Sequence, residues 1–559
     1  MRKRARFTIR VVAVGLAAAA VLALPAAGVE GESKVAPGFL SHLSQAVQQR
    51  FLAAHPDEAP ARLHGALAAL SQVPVQSHNG PAGLTSFNRD DLGLPQNEES
   101  VGVCREDPRN VLGGTNDYRG LLDPEGNFTG WHFSNDGGQT LTNEGLLPSI
   151  DGIPSGGDPV DVGASHCSFY AGGLHYFGDN PFTRQNGIGV ERSDAATLAS
   201  CDPNDADSCW PTRRIVAMSP NPPGPGIVPT PANPAFFFDK PWFDVGRSGS
   251  AGEVVWIVYS DFRITGPGTD TLDYTVTLEA VRCTADLAAC TQPQVLSGED
   301  QDIQFGDVTI GPDGRVYVTW VEIVGELPGE GGQPSQPQTF IVKSRVAEPG
   351  STTFGPVHVV ATVDRPIPFG GFLQADDFRV ATYPKNTVVN VGGKTRYFVT
   401  WDECKQRPLD TICEEPVIKL SYSDDLGVTW SEPTGISHGG VNFFPTIAGD
   451  PTNNRVVIAW YTNRFDSFDH RYDVELVSFP GNSANPGGSR RLTRQSNEPD
   501  ADPLLGGFFI GDYFEVVTHG GAAWVHFNAN YREEKLLDGL IDEGVPVNQQ
   551  DNFLIRVGS

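Results

Sequence analysis

The feature that most constrains this 559-residue chain is a repeated strand in which a large apolar residue, often Trp, is followed by polar residues. Seven segments show it: NVLGGTNDYR (110–119), SFYAGGLHYF (168–177), EVVWIVYSDFR (253–263), RVYVTWVE (315–322), RYFVTWDE (396–403), RVVIAWYTNRF (455–465) and AAWVHFNANYR (522–532). Another strand, often opened by Asp, precedes each of the later six. Repeats that each hold several strands and no helix predict blades packed around an axis. We predict an all-β propeller of about seven four-stranded blades over residues 99–559, with six blades or an array of β-sandwiches as alternatives.

The N-terminus has the layout of a secretory signal peptide, which we assign to residues 1–27. Five basic residues precede an apolar run that ends in small residues. The run is shorter than the ~20 residues of a membrane-spanning helix. Residues 28–98 are predicted to hold a short helical segment and a linker, because Phe39, Leu43, Val47 and Phe51 follow a helical spacing. We therefore expect an exported, extracellular protein that is not stably inserted in a membrane.

The net charge limits the classes of partner that the chain can bind, and the cysteines indicate disulfides. A net charge of −28 disfavours nucleic acid and anionic membranes as partners. The even number of cysteines in an exported chain predicts disulfides, and their proximity suggests the pairs Cys104/Cys167, Cys201/Cys209, Cys283/Cys290 and Cys404/Cys413. Zinc is the alternative, but no C-x2-C pair supports it.

Two short stretches share the form S-x-D-x-G-x-T-W. They are SDDLGVTW (423–430) and SNDGGQTL (134–141), in which Leu replaces the Trp. Ser, Asp and Thr side chains can bond neighbouring backbone N–H groups, and Gly allows a positive φ. The stretches resemble the Asp-box, or BNR repeat, of the sialidase-like β-propeller superfamily. In that family these turns join the third and fourth strands of a blade, on the face opposite the ligand site, so the resemblance implies that these carboxylates build turns.

The resemblance also implies a site on the other face. Sialidases hold the substrate carboxylate with three arginines, and the arginines that end upper loops here are Arg119, Arg263, Arg464 and Arg532. Asp117 is the candidate general acid/base. Sialidases use a Tyr nucleophile beside a carboxylate, for which Tyr513 and Glu322 are the candidates. Ion pairing of each Arg with a nearby carboxylate is the alternative. The F/Y-R-I-P motif of catalytic sialidases is absent, and catalytic sialidases have six blades.

Five aspartates open predicted inner strands, which line the channel of a propeller: Asp158, Asp239, Asp307, Asp376 and Asp512. Their mutual repulsion could be relieved by Ca²⁺, although solvation or bonding to backbone N–H groups is the alternative. We expect a monomer that requires no cofactor, with Ca²⁺ as an option. Its partner is expected to be a glycan or glycoprotein. Two functions stay open: an exo-glycosidase on acidic glycans, or a non-catalytic propeller that binds carbohydrate or protein.

Overall fold

The computed structural model describes residues 84–558 except for positions 91, 179–183, 225–226, 267–273, 299–301, 326–337, 369–370, 374–375, 377, 409–411, 484, 503, 506, 508 and 537–544. The predicted signal peptide and the predicted N-terminal helix lie outside the described residues. No helix among the described residues is long and apolar enough to cross a membrane.

Seven antiparallel four-stranded sheets make up the described chain, as the repeats predict. The first three blades comprise Gln96–Val103, Val111–Asp117, Thr129–Ser134 and Asn143–Leu146; Val160–Gly163, Ser168–His175, Gly187–Asp194 and Thr212–Met218; and Ala235–Arg247, Glu253–Ile264, Tyr274–Thr284 and Gln294–Val295. The fourth to sixth comprise Ile303–Ile310, Val316–Val324, Thr339–Ala347 and His358–Val363; Lys385–Val391, Lys394–Glu403, Val417–Ser423 and Thr434–Gly435; and Asn442–Asp450, Arg455–Thr462, Asp473–Pro480 and Arg490–Arg491.

The seventh blade closes the ring with a strand from the start of the described chain. Its inner three strands are Glu515–His519, Ala522–Ala529 and Asp551–Gly558, and its outer strand is Thr85–Ser86, which pairs with Leu554 and Phe553. Each inner strand contacts the inner strand of the next blade, and that of the seventh contacts that of the first. The propeller therefore begins at Thr85, before the predicted boundary at 99. The sequence did not predict this strand, because two residues are too few to show an alternating pattern.

Additional elements decorate this ring. Two short sheets lie outside the blades: Gly371–Leu373 with Arg379–Val380 and Ile412–Cys413, and Glu533–Leu536 with Val545–Asn548. Within the described ranges, the α-helices are Ala195–Ser200 and Ala206–Cys209, and the 3₁₀ helices are Tyr118–Leu122, Ser165–Cys167, Gly249–Ala251 and Pro499–Ala501. The four predicted disulfides, Cys104–Cys167, Cys201–Cys209, Cys283–Cys290 and Cys404–Cys413, are confirmed.

The two stretches that resemble the Asp-box, called Asp-box turns below for this resemblance, lie between the third and fourth strands of blades 1 and 5. In the second, Ser423 Oγ accepts the Gly427 N–H at 2.8 Å, and Asp425 accepts both the N–H and the hydroxyl of Thr429 at 2.8 and 2.7 Å. The first turn repeats these bonds through Ser134, Asp136, Gly138 and Thr140. We name the face that carries these turns the lower face, and the face that carries the loops between second and third strands the upper face.

Candidate functional site on the propeller axis

The inner strands share an unusual backbone feature where they begin, near the upper face. Residues with positive φ stand at bulges in four of them: Glu98 (59°), Lys240 (48°), Phe305 (58°) and Phe444 (49°). Asp158, with φ of 53°, lies just before the inner strand of blade 2. A bulge re-aims a side chain at the cost of local strain. Contacts between non-adjacent blades show that these side chains converge on the axis.

We name the polar side chains that meet on the axis the axial cluster, and Lys240 of blade 3 lies at its centre. Its ammonium lies 3.4 Å from Glu98 Oε1 of blade 1, 3.7 Å from Asp158 Oδ1 of blade 2 and 2.5 Å from Asp512 Oδ2 before the inner strand of blade 7. The side chain is 6% exposed. Burial alone would lower the pKa of Lys240, but the three carboxylates outweigh it and raise the pKa well above its usual value. Lys240 is therefore a permanent cation that links four blades.

A second cation, Arg379, completes the cluster. Arg379 Nε donates to Asp512 Oδ1 at 3.1 Å, and Nη2 contacts Oδ2. Burial favours a raised pKa for Asp512, but Arg379 and Lys240 outweigh it and hold the pKa at about 2. Asp512 is therefore ionised at every pH at which the protein is expected to work.

Two further carboxyls, Glu98 and Asp158, face the same ammonium of Lys240. Burial raises the pKa of both, and Lys240 opposes this rise. The pKa of Glu98 is raised well above its usual value. The axial cluster therefore brings buried acidic groups of three blades against the two cations Lys240 and Arg379.

Aromatic rings occupy the other half of the axis. Tyr383 of the connection into blade 5 packs between Phe305 of blade 4 and Phe444 of blade 6, with ring centroids 3.6 and 5.6 Å away. Burial raises the pKa of Tyr383 well above its usual value, and the nearby Asp512 raises it further. The sequence singled out the aspartates but missed Glu98, Lys240, Arg379 and Tyr383.

Below the cluster, a cavity of about 510 Å³ follows the axis toward the lower face. Asp161 and Glu515 line it; Ser100 donates to Asp161, and the Val101 N–H donates to Glu515 Oε2 at 2.8 Å. Burial raises the pKa of both carboxyls to about 8. They are therefore neutral in the folded protein at mildly acidic pH.

The raised pKa values of Asp161 and Glu515 make the free energy of unfolding depend on pH. Unfolded carboxyls ionise near pH 4, so between about pH 4 and 8 the native state keeps protons that the unfolded state releases. The free energy of unfolding should fall as pH rises, by up to about 1.4 kcal/mol per pH unit for the fully buried Asp161 and by less for the partly exposed Glu515. Chemical denaturation at pH 5 and 8 should show the drop, and Asp161→Asn should reduce it. An equal reduction in Asp151→Asn, an exposed turn residue, would contradict the assignment.

The four predicted arginines lie in different blades, and each has a local partner. Arg119 binds Asp117 through Nε at 3.0 Å, and Arg464 Nη2 lies 3.0 Å from Glu475. Arg263 Nη2 donates to the Pro231 carbonyl at 3.3 Å. Arg532 donates to Ser86 and Asn88 and lies 3.7 Å from Asp551. The charges of Arg119 and Arg532 both lower the pKa of Asp551. These two arginines therefore lie near the same boundary, that between blades 7 and 1.

The predicted catalytic residues are also dispersed. Asp117 is buried and accepts three bonds from the Arg119 side chain. The Tyr513 hydroxyl donates to the Pro159 carbonyl at 2.9 Å, and its carboxylate neighbours are Glu98, Asp158, Asp512 and Glu515. Glu322 contacts Lys343. Of this group, only Tyr513 belongs to the axial cluster.

The five predicted calcium ligands contact several different partners. Asp158 and Asp512 face Lys240, Asp307 faces Lys385 and Asn386, and Asp376 faces His470. Asp239 lies near Gln304, 3.5 Å away. Cations of the protein thus relieve much of the repulsion that motivated the calcium hypothesis.

Calcium binding on the axis stays a prediction. Melting curves recorded with chelator and with excess Ca²⁺ test it, because a bound ion raises the midpoint with its concentration. Overlapping curves would contradict it.

Comparison with known proteins gives a remote likeness. No family model and no curated protein matches the chain. Among solved structures, it is similar to the Hadza microbial sialidase Hz136 (11% identity, TM-score 0.39, 77% of this chain and 73% of that chain covered). It is also similar to a Dyadobacter fermentans protein of unknown function (9%, 0.41, 87% and 100%) and to a Penicillium chrysogenum α-L-arabinanase complexed with arabinobiose (12%, 0.39, 72% and 98%).

Proposed function

We propose that the chain is an exported propeller that binds carbohydrate with its upper face. The observation that carries the proposal is the pairing of the arginines. A catalytic grip on an acidic sugar needs guanidinium groups that converge and stay available. Here Arg119 and Arg464 are held by carboxylates of their own blades, and Arg263 by a backbone carbonyl.

The upper face offers a different recognition feature, the loop 463–472 between the second and third strands of blade 6. Phe468 in this loop is 78% exposed, the most exposed large hydrophobic side chain among the described residues. An exposed aromatic ring offers a flat, rigid contact surface at low entropic cost. The apolar face of a sugar ring is a suitable partner for Phe468.

Glycoside hydrolysis is the second candidate function. The observation that favours it is the position of Glu98, whose pKa burial raises well above its usual value, beside Asp158 and Tyr513, since glycosidases use one carboxyl with a raised pKa and one ionised carboxyl. Two facts rank it second. Both carboxyls face the ammonium of Lys240, at 3.4 and 3.7 Å. Both are also buried, at 0% and 1% exposure.

A glycan array and a panel of fluorogenic glycosides, sialosides included, test the two functions with the purified chain. We expect saturable glycan binding and no turnover above that of the Asp158→Asn variant. Turnover that this variant abolishes would favour hydrolysis. Absence of any glycan binding would overturn the carbohydrate assignment.

A further inference from the structure

Three carboxylates surround His470 at the end of the upper loop of blade 6. His470 Nε2 lies 2.6 Å from Glu498 Oε1 and 3.5 Å from Asp500 Oδ2, and Nδ1 lies 3.0 Å from Asp376 Oδ1. The carboxylates come from two other segments, the connection into blade 5 and the 3₁₀ segment after blade 6. Three parts of the chain thus meet at one imidazole.

The ligand atoms are close enough to hold one ion. One atom each from His470, Glu498 and Asp500 lies within 4.8 Å of the others. Ligand atoms of tetrahedral zinc are about 3.3 Å apart, so small side-chain rotations would suffice. The side chains are 26%, 43% and 63% exposed, so an ion and a completing water can reach them.

Asp376 gives independent evidence, because it is buried and aimed into this group. It is 6% exposed, and its Oδ1 pairs with His470 Nδ1 at 3.0 Å, on the side of the ring opposite Nε2. A carboxylate behind the second ring nitrogen is the usual partner of a metal-bound histidine, since it fixes the ring and its tautomer. Arg471, the next residue after His470, pairs with Asp466 at 2.7 Å.

We propose that His470 Nε2, Glu498 and Asp500 form a site for one divalent transition-metal ion, zinc by the mixture of imidazole and carboxylate donors, with Asp376 as the positioning residue. The site lies two residues from Phe468 on the upper face. Of the five aspartates considered for calcium, only Asp376 belongs to this site, because it faces His470.

Titration of the metal-free full chain with Zn²⁺, against a chromophoric chelator, tests the site. We expect one equivalent of Zn²⁺ bound at micromolar concentration and a rise in melting temperature. His470→Ala should lose both, and the matched control His438→Ala, an exposed upper-face histidine, should keep both.

Two more variants keep the proposal falsifiable if His470→Ala fails to fold. Asp500→Asn changes an exposed side chain and should weaken Zn²⁺ binding by at least about tenfold. Asp376→Asn touches no ion and should weaken it by about 10–100-fold. Failure to bind Zn²⁺ at millimolar concentration would overturn the proposal. So would equal Zn²⁺ affinity in the wild type, Asp500→Asn and Asp376→Asn.

Discussion

Lys240→Met is expected to destabilise the protein by about 3–5 kcal/mol, because it leaves buried carboxylates without their common cation. The side chain is 6% exposed, and its ammonium contacts Glu98, Asp158 and Asp512. Met keeps the length of the side chain, so the loss of charge dominates. Denaturant unfolding monitored by tryptophan fluorescence measures the effect.

The control is Lys405→Met, which removes an exposed cation. Lys405 pairs with Glu415, and the two side chains are 63% and 53% exposed, so the expected change is within about 0.5 kcal/mol. Equal effects of the two substitutions would show that the axial charges are not the link between blades that we infer.

Phe87→Ala is expected to cost about 3–5 kcal/mol, because it removes the side chain that anchors the ring-closing strand. Phe87 is fully buried, and its ring meets those of His526 and His132 with centroids 5.5 and 6.2 Å away. The strand itself has only two paired residues. Loss of this anchor should release the N-terminal edge, and limited proteolysis near residue 84 should become faster.

The matched control is Phe514→Leu in the inner part of blade 7. Phe514 is also buried, but it packs on Tyr461 of blade 6 and takes no part in the closure. The Phe514→Leu variant should be less stable than the wild type, but its N-terminal edge should not become more accessible to protease. Faster cleavage near residue 84 in both variants would contradict a specific role for Phe87.

The blade plan was predictable because it depends on local patterns. The seven marker segments are the second strands of the seven blades, and Trp256, Trp320, Trp401, Trp460 and Trp524 are buried as strand markers should be. The Asp-box turns and the disulfides also depend on short-range spacing. Each of these predictions needed only neighbouring residues.

The axial cluster was only partly predictable, because its contacts join distant parts of the chain. Lys240 and Glu98 are separated by 142 positions, and no periodicity connects them. One local clue was available. Asp158, Lys240, Tyr383 and Phe444 each precede a proline that lies within or just before an inner strand. Such a repeated X-Pro step marks the position from which these side chains reach the axis.

The closing strand and the arginine pairing were hidden for a different reason. Thr85–Ser86 is too short to show alternation, and its partners lie at the other end of the chain. Arg263 lies within the second strand of blade 3 rather than in a loop, and sequence spacing does not reveal whether Arg464 meets a ligand or Glu475. That choice depends on side-chain packing within each blade.

The most direct test of the central claim compares glycan binding by two single variants that alter opposite faces. Phe468→Ala changes the upper loop of blade 6, and Val428→Ala changes an Asp-box turn of the lower face, where Val428 is 56% exposed. Calorimetric titration with the best ligand from the array should show at least about tenfold weaker binding for Phe468→Ala and unchanged binding for Val428→Ala. Weaker binding by Val428→Ala, with Phe468→Ala unchanged, would contradict the account.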